Sequence, residues 1–462
     1  MDAPSSTHRR NASVKCQCYP QTVRPRSSTK GPLDMQDEYI IPSSFLPSDW
    51  NFLMTDSAAA STEKGLTPSQ APARHAATHS ISSARSSTLS AFSLPVNKDF
   101  SFLQRRDIYH PLSQLEIPPA FRSEFPTLPA NTSLHSALSI LDNLLNEGRF
   151  LSAAHFSAAI LTSSIISSND YGAIFSLFYT RLACLELCGN TLLAAQEVKA
   201  LEDLNSAFYY LDTDTMGGRS QHLVPWPLRV LAVRLQSIGF GDARRGITGL
   251  YELGLEARKQ ISRPEIGHEE KDMWKERLGD LGIRVVNTLI EMGDLQAAQR
   301  SLATMTPSQG NGLEIARMVL LHLRIGDLEA AKVLLESSPK AAGGILGPLL
   351  SMAEGRFADA VTEWKSLRES HAGEEDEALM TQNLAVCLLY EGKLAESREF
   401  LEFLVERGNS FQSLTFNLAT IYELCSENSR NLKLDLTQQI SYQPPSRDIN
   451  WERPSSDFKI TN

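Results

Sequence analysis

The chain has 462 residues and a net charge of −10, unevenly placed: residues 1–130 carry 13 basic and 11 acidic side chains, leaving −12 on the remainder. An acidic body excludes nucleic acid as the main partner, because cationic contacts to phosphate supply most of that affinity, and it points to protein partners instead. Six scattered cysteines, and no apolar run of signal-peptide type in the first thirty residues, fit reduced thiols in the cytosol.

Residues 1–130 are rich in Ser, Thr, Pro and Ala with little periodicity, and are expected to form a long disordered arm. Two apolar islands interrupt it, Tyr39 to Met54 and Phe92 to Phe125. Such islands either fold on a partner or pack back onto the body. Order is expected from residue 131, with Thr132 as a helix N-cap ahead of Leu134, Leu138, Leu141 and Leu145, which form one apolar stripe. The longest charge-free stretch, Phe150 to Asn169, holds His155 and six serines, so it reads as a helix of a soluble protein and not as a membrane span.

From here a turn signature recurs: a glycine, an apolar residue two positions on in most copies, and a small residue five positions on. It appears at Gly148/Phe150/Ala153, Gly189/Ala194, Gly241/Gly246, Gly293/Leu295/Ala298, Gly326/Leu328/Ala331, Gly355/Phe357/Ala360 and Gly392/Leu394/Ser397. Glycine can end a helix in the left-handed conformation, and the small residue lets the next helix approach closely. The glycine spacings are 41, 52, 52, 33, 29 and 37 residues. The long ones imply inserted loops or lengthened helices around Thr213 to Gln221 and Arg263 to Glu270. Asn383-Leu384-Ala385 returns as Asn417-Leu418-Ala419, and Leu384 and Leu418 stand 34 residues apart, the period of a tetratricopeptide unit. The predicted fold is therefore all-α, a tetratricopeptide-like α-solenoid of roughly seven helix pairs over residues 131–441, followed by a polar tail over 442–462. Leu384 and Leu418 should pack between the helices of a repeat. Asn383, Tyr390, Asn417 and Tyr422 are the candidate partner-binding residues.

No catalytic, cofactor or metal site emerges. Gly239, Gly241 and Gly246 follow a helical stripe and not a strand, so they read as a turn and not as a dinucleotide loop. Cys184 and Cys188 share a helix face without a second ligand pair, which favours core packing over zinc. The run Glu374 to Glu377 reads as a solvated loop before a helix start.

Two blocks carry a family resemblance: Asn383-Leu-Ala-Val-Cys-Leu-Leu-Tyr390-Glu-Gly-Lys-Leu394 and Phe416-Asn-Leu-Ala-Thr-Ile-Tyr422-Glu-Leu424. Both resemble the C-terminal blocks of the twelfth subunit of the trafficking protein particle (TRAPP) complex. Phe208-Tyr209-Tyr210, Leu223 to Arg229 and the helix around Trp274 are similar to that family in order and spacing. The resemblance runs from about Ser133 to Ser441. It implies a non-catalytic scaffold subunit of TRAPP III, a vesicle-tethering complex of endoplasmic-reticulum-to-Golgi transport and autophagy. Implied partners are the eighth and eleventh large subunits, the small-subunit core and, indirectly, a Rab1-type GTPase. Implied location is the cytoplasm, peripheral to intermediate-compartment and Golgi membranes through the complex. The residues alone also admit a stand-alone tetratricopeptide adaptor for peptide motifs. Such an adaptor usually needs lysine and asparagine on successive first helices, a set that does not assemble here.

Overall fold

The computed structural model describes residues 98–211, 221–264, 266–305, 312–337, 344–371, 376–446 and 449–460. Among them, sixteen α-helices follow one another in eight consecutive pairs, and the β-type pairing is limited to an isolated bridge between Tyr210 and His222. The pairs are α1 Leu134–Asn146 with α2 Phe150–Leu161, α3 Tyr171–Leu187 with α4 Thr191–Glu197, α5 Trp226–Gly239 with α6 Ala243–Ile261, and α7 His268–Glu291 with α8 Leu295–Ala303. They continue as α9 Gly312–Ile325 with α10 Leu328–Ser337, α11 Leu346–Ala353 with α12 Phe357–Ser370, α13 Glu377–Tyr390 with α14 Leu394–Glu406, and α15 Gln412–Cys425 with α16 Ser429–Ser441. The fold class is the α-solenoid expected from the glycine turns.

Each of the seven turn glycines has a left-handed φ, between 64° and 86°. The hydrogen bonding repeats with it. Gly392 N donates to Leu389 O at 3.0 Å and Lys393 N to Leu388 O at 2.9 Å, and the same two bonds close the other six turns. This double bond satisfies carbonyls that a helix end would otherwise leave free, and glycine adopts the required φ without the ~1 to 2 kcal/mol that a Cβ would cost. Five residues on, Ala153, Ala194, Ala298, Ala331, Ala360 and Ser397 are fully buried. Ser397 Oγ donates to Ala385 O at 2.6 Å, a measure of how closely the paired helices approach.

Burial proceeds in steps along the chain. One apolar cluster runs from Phe100 to Leu235, and later ones center on Trp226 and Trp274, on α8 to α11, and on α14 to α16. The second 52-residue spacing is explained by long helices, since α6 and α7 have 19 and 24 residues. The first comes from the long connection between α4 and α5, which has short 3-10 turns at Val198–Leu201 and Ala207–Tyr209 and of which 212–220 lies outside the described residues.

Four expectations differ from the structure. The helix N-cap is Ser133, whose Oγ accepts from Ser136 N, while the Thr132 hydroxyl turns back to Pro129 O. The pairs number eight because the turn between α15 and α16 contains Ser426 in extended backbone and no glycine. Residues 98–130 are not a disordered arm. Phe100 and Leu103 are fully buried, Phe100 meets Phe175 edge-on at 5.1 Å, and the Phe92 to Phe125 island, as far as it is described, packs back onto α2, α3 and α4. Residues 1–97, with the Tyr39 to Met54 island, lie outside the described residues. Finally, 449–460 is not a polar tail: Glu452, Phe458 and Ile460 are buried against the helices. Both segments are poor in helical periodicity, so the apolar residues of the Phe92 to Phe125 island and of 449–460 do not announce which helices they pack on.

Candidate interaction surfaces

The repeated Asn-Leu-Ala motif opens the middle of α13 and of α15. Leu384 and Leu418 are fully buried. The four candidate contact residues separate. Asn383 is half-buried and Tyr390 is 42% exposed, and their seven-residue spacing keeps them on one face of α13. Tyr390 stacks on Phe357 of the preceding pair, with centroids 4.5 Å apart and planes at 4°. Asn417 and Tyr422 are only 5% and 6% exposed and are packing residues, not contact residues. The Tyr422 hydroxyl donates to Glu402 Oε1 at 3.0 Å and its ring lies under Arg398. Burial, and then the Glu402 charge, push its phenol up. Chain from outside the array also rests on α15, where Lys459 bonds Thr420 and lies over Phe416.

A groove of about 610 Å3 lies between the end of α4 and the α5/α6 pair. Arg229, itself buried, forms a bidentate pair with Glu256 there. Burial would raise Glu256, but the guanidinium holds it below its usual value. The exposed Phe240 ring is flanked by Arg245 at 4.1 Å and Lys199 at 5.7 Å, an aromatic face with two cations suited to a polar or acidic partner side chain. Beside it, His222 accepts from Val224 N on Nδ1 and meets Leu204 O through Nε2, the bonding of a neutral ring. Burial, helped by Arg229, lowers its pKa to about 4.

The region holding 98–130 to the helices contains a buried ion pair. Arg181 and Glu197 are 1% and 0% exposed and form two hydrogen bonds, of 3.0 and 2.7 Å. The remaining guanidinium hydrogens go to Ala154 O and His110 O, and Glu197 also accepts from His110 N. One polar cluster thus joins α2, α3, α4 and the strap before α1. The signal was legible in hindsight, as Arg181 is the one charge in the α3 run Tyr171 to Leu185. Cys184 and Cys188 sit in the core with burial pushing both thiols up, and Cys387 is pushed up to about 12. Gly239, Gly241 and Gly246 form the α5/α6 turn. Of the acidic run, Glu377 begins α13 and pairs with Arg407, while Glu374 and Glu375 lie outside the described residues. Among the described residues no group of three or more His, Cys, Asp or Glu is placed to hold a metal ion, and no helix is long and apolar enough to cross a membrane.

No protein-family model matches the chain. It is 26% identical over 331 residues to trafficking protein particle complex subunit 12 of Homo sapiens, covering 64% of this chain and 44% of that one. It is also 26% identical over 299 residues to the protein of the same name in Mus musculus, covering 57% of this chain and 37% of that one. The chain spans less than half the length of the curated relatives it matches. These matches agree with the family resemblance seen in the Asn383 and Phe416 blocks.

Proposed function

From this likeness to trafficking protein particle complex subunit 12, we propose that the chain is a non-catalytic scaffold subunit of a TRAPP complex. Its place is in the third form of the complex, which tethers vesicles in endoplasmic-reticulum-to-Golgi transport and autophagy, beside the eighth and eleventh large subunits and the small-subunit core. It works in the cytoplasm and reaches Golgi and intermediate-compartment membranes through the complex, and it acts on a Rab1-type GTPase only indirectly. The observation that carries the reading is that the chain, similar over 64% of its length to that subunit, folds as an array of eight helix pairs among the described residues, an architecture whose use is extended protein contact. The α13 face with Asn383 and Tyr390 and the groove beside Phe240 are its candidate partner surfaces.

Purification of the tagged chain from a native lysate tests the proposal. A stoichiometric set of large and small subunits is the expected result. Chaperones alone would favour the peptide adaptor, and stimulated nucleotide release from a Rab1-type GTPase by the isolated chain would overturn the non-catalytic role.

A further inference from the structure

Six of the seven turn glycines have nothing within 4 Å of where a Cβ would stand, among the described residues. Gly148 is different: a Cβ there would overlap the Ile449 carbonyl oxygen and lie 2.5 Å from that of Ser446. The chain that covers it comes from the other end of the sequence. After α16, Pro444 and Pro445 stop the helical run, and 449–460 then crosses from the first helix pairs to the last.

On the first pairs, Asn450 Nδ2 donates to Leu187 O at the end of α3 at 3.0 Å. Glu452, 5% exposed, accepts from Ser152 N at 2.9 Å and Ser152 Oγ at 2.6 Å, in the first turn of α2. Arg149, the N-cap of that helix, contributes no acceptor, so Glu452 caps α2 from a distance of 300 residues in sequence and meets the positive end of its dipole. On the strap before α1, Trp451 stacks on Phe121 at 4.6 Å and 10°, and Ser455 N and Oγ both donate to Glu116 O. On the last pair, Gln412 Nε2 donates to Asp457 O, Lys459 bonds Glu423 at 2.7 Å, and Phe458 is fully buried.

We propose that these surfaces form a peptide-binding groove occupied in cis, and that 449–460 is a releasable clasp which holds the first and last helix pairs together while it is seated. The groove selects a peptide with Trp followed by Glu, the carboxylate seated on the α2 N-terminus, and a second aromatic seven residues after the Trp, at the end of a 3-10 turn. Release needs no helix to unfold. The groove is built by helices whose backbone bonds are internal and by the strap before α1, and the clasp has a single turn of 3-10 helix, Ser455–Phe458. Tethering gives the clasp an effective concentration on the order of millimolar, so a free peptide competes poorly with it in the intact chain.

The test compares the full chain with one ending at Ser446, using a fluorescein-labelled peptide of residues 449–462 and fluorescence polarisation. Saturable binding by the shortened chain, and at least about tenfold weaker binding by the full chain, are expected. The same peptide with Glu452→Ala should bind about tenfold or more weakly, from the loss of a charged hydrogen-bond acceptor. In the shortened chain Gly148→Ala should abolish binding, whereas Gly189→Ala, which has a similar φ and an empty surround, should leave it intact. Should the shortened chain not fold, a protease site inserted between Ser446 and Ile449 gives a nicked full chain. Its terminal fragment should co-elute on gel filtration and exchange with excess labelled peptide. No binding by a folded shortened chain, no exchange from the nicked chain, equal binding by the full chain, or equal losses for the two glycine variants would each overturn the clasp.

Discussion

Residues 377–425 and residues 98–201 are held together by different means. In the first, the Asn-Leu-Ala motif of α13 returns 34 residues later in α15, and the seam holds Leu384, Leu401, Leu404, Leu414 and Leu418 from neighbouring helices. In the second, a strap with only short 3-10 turns is fixed across three helices by Arg181 and Glu197, whose partners come from as far away as His110. A repeat array therefore need not be held by nearest-neighbour contacts alone. Its regular part is local, while its N-terminal part depends on polar contacts that span 71 and 87 residues.

Arg181→Ala separates these two regimes most sharply. It leaves Glu197 buried without its partner, which should cost about 3 to 5 kcal/mol and release the strap. Urea unfolding and limited proteolysis of 98–130 read the result. Replacing both partners, Arg181→Met with Glu197→Leu, should recover most of that stability, because no uncompensated charge remains. A loss below about 1 kcal/mol for Arg181→Ala would place the tie elsewhere.

Leu418→Ala probes the local regime. A fully buried leucine truncated in a packed core should cost about 2 to 5 kcal/mol. An open array would transmit that loss to the last pair only. With the clasp resting on α15 through Lys459 and Gln412, amide exchange should accelerate in α15, α16 and also α1 and α2, while α9 to α12 keep their protection. Acceleration confined to α15 and α16 would show that the two ends are not coupled.

Acid should act at His222, which packs on Tyr209 between the two regimes. His222 is held neutral in the fold with a pKa of about 4 against an ordinary 6.5, so the unfolded chain takes up its proton first as pH falls. Stability from this group is complete above about pH 6.5 and is lost progressively down to about pH 4, a change on the order of 1 to 3 kcal/mol. Unfolding midpoints across this range should flatten in His222→Gln, and an unchanged slope would exclude His222 as the source.

The regular part was legible because its determinants are short-range. Gly392, Ser397 and the 34-residue return of Leu384 as Leu418 can be read without knowing what lies opposite. Tyr422 and Asn417 look like surface residues by the same reading, yet both are buried, Tyr422 against Glu402 and Arg398 of the neighbouring helix. The hydrophobic residues of 98–130 and 449–460 follow no period, so the sequence marks Phe92 to Phe125 as an apolar island without a partner and 442–462 as a polar tail. Their burial depends on Phe100, Phe121, Trp451 and Phe458 each finding a site made by helices far away in sequence. Glu452 is the clearest case: as a charged residue near the end of the sequence it reads as solvated, and its function as the cap of α2 exists only in three dimensions.

The smallest expected effect isolates what a turn glycine contributes by conformation alone. Gly392 has φ 78° and nothing within 4 Å of a Cβ position among the described residues, so Gly392→Ala adds backbone strain without a clash. The expected loss is about 1 kcal/mol, near the cost of placing an L-residue in the left-handed region. Gly326→Ala, with φ 86° and the same empty surround, should match it, and the two should add, because the turns lie two repeats apart and share no neighbours. Calorimetric melting of the two single variants and the double variant measures this. A double loss well above the sum would mean that the turns act cooperatively through the array, which would bring the regular part closer in kind to the long-range ties of the strap. A loss near zero would mean that the double carbonyl bond at Leu388 and Leu389, rather than the freedom of glycine, decides where these helices end.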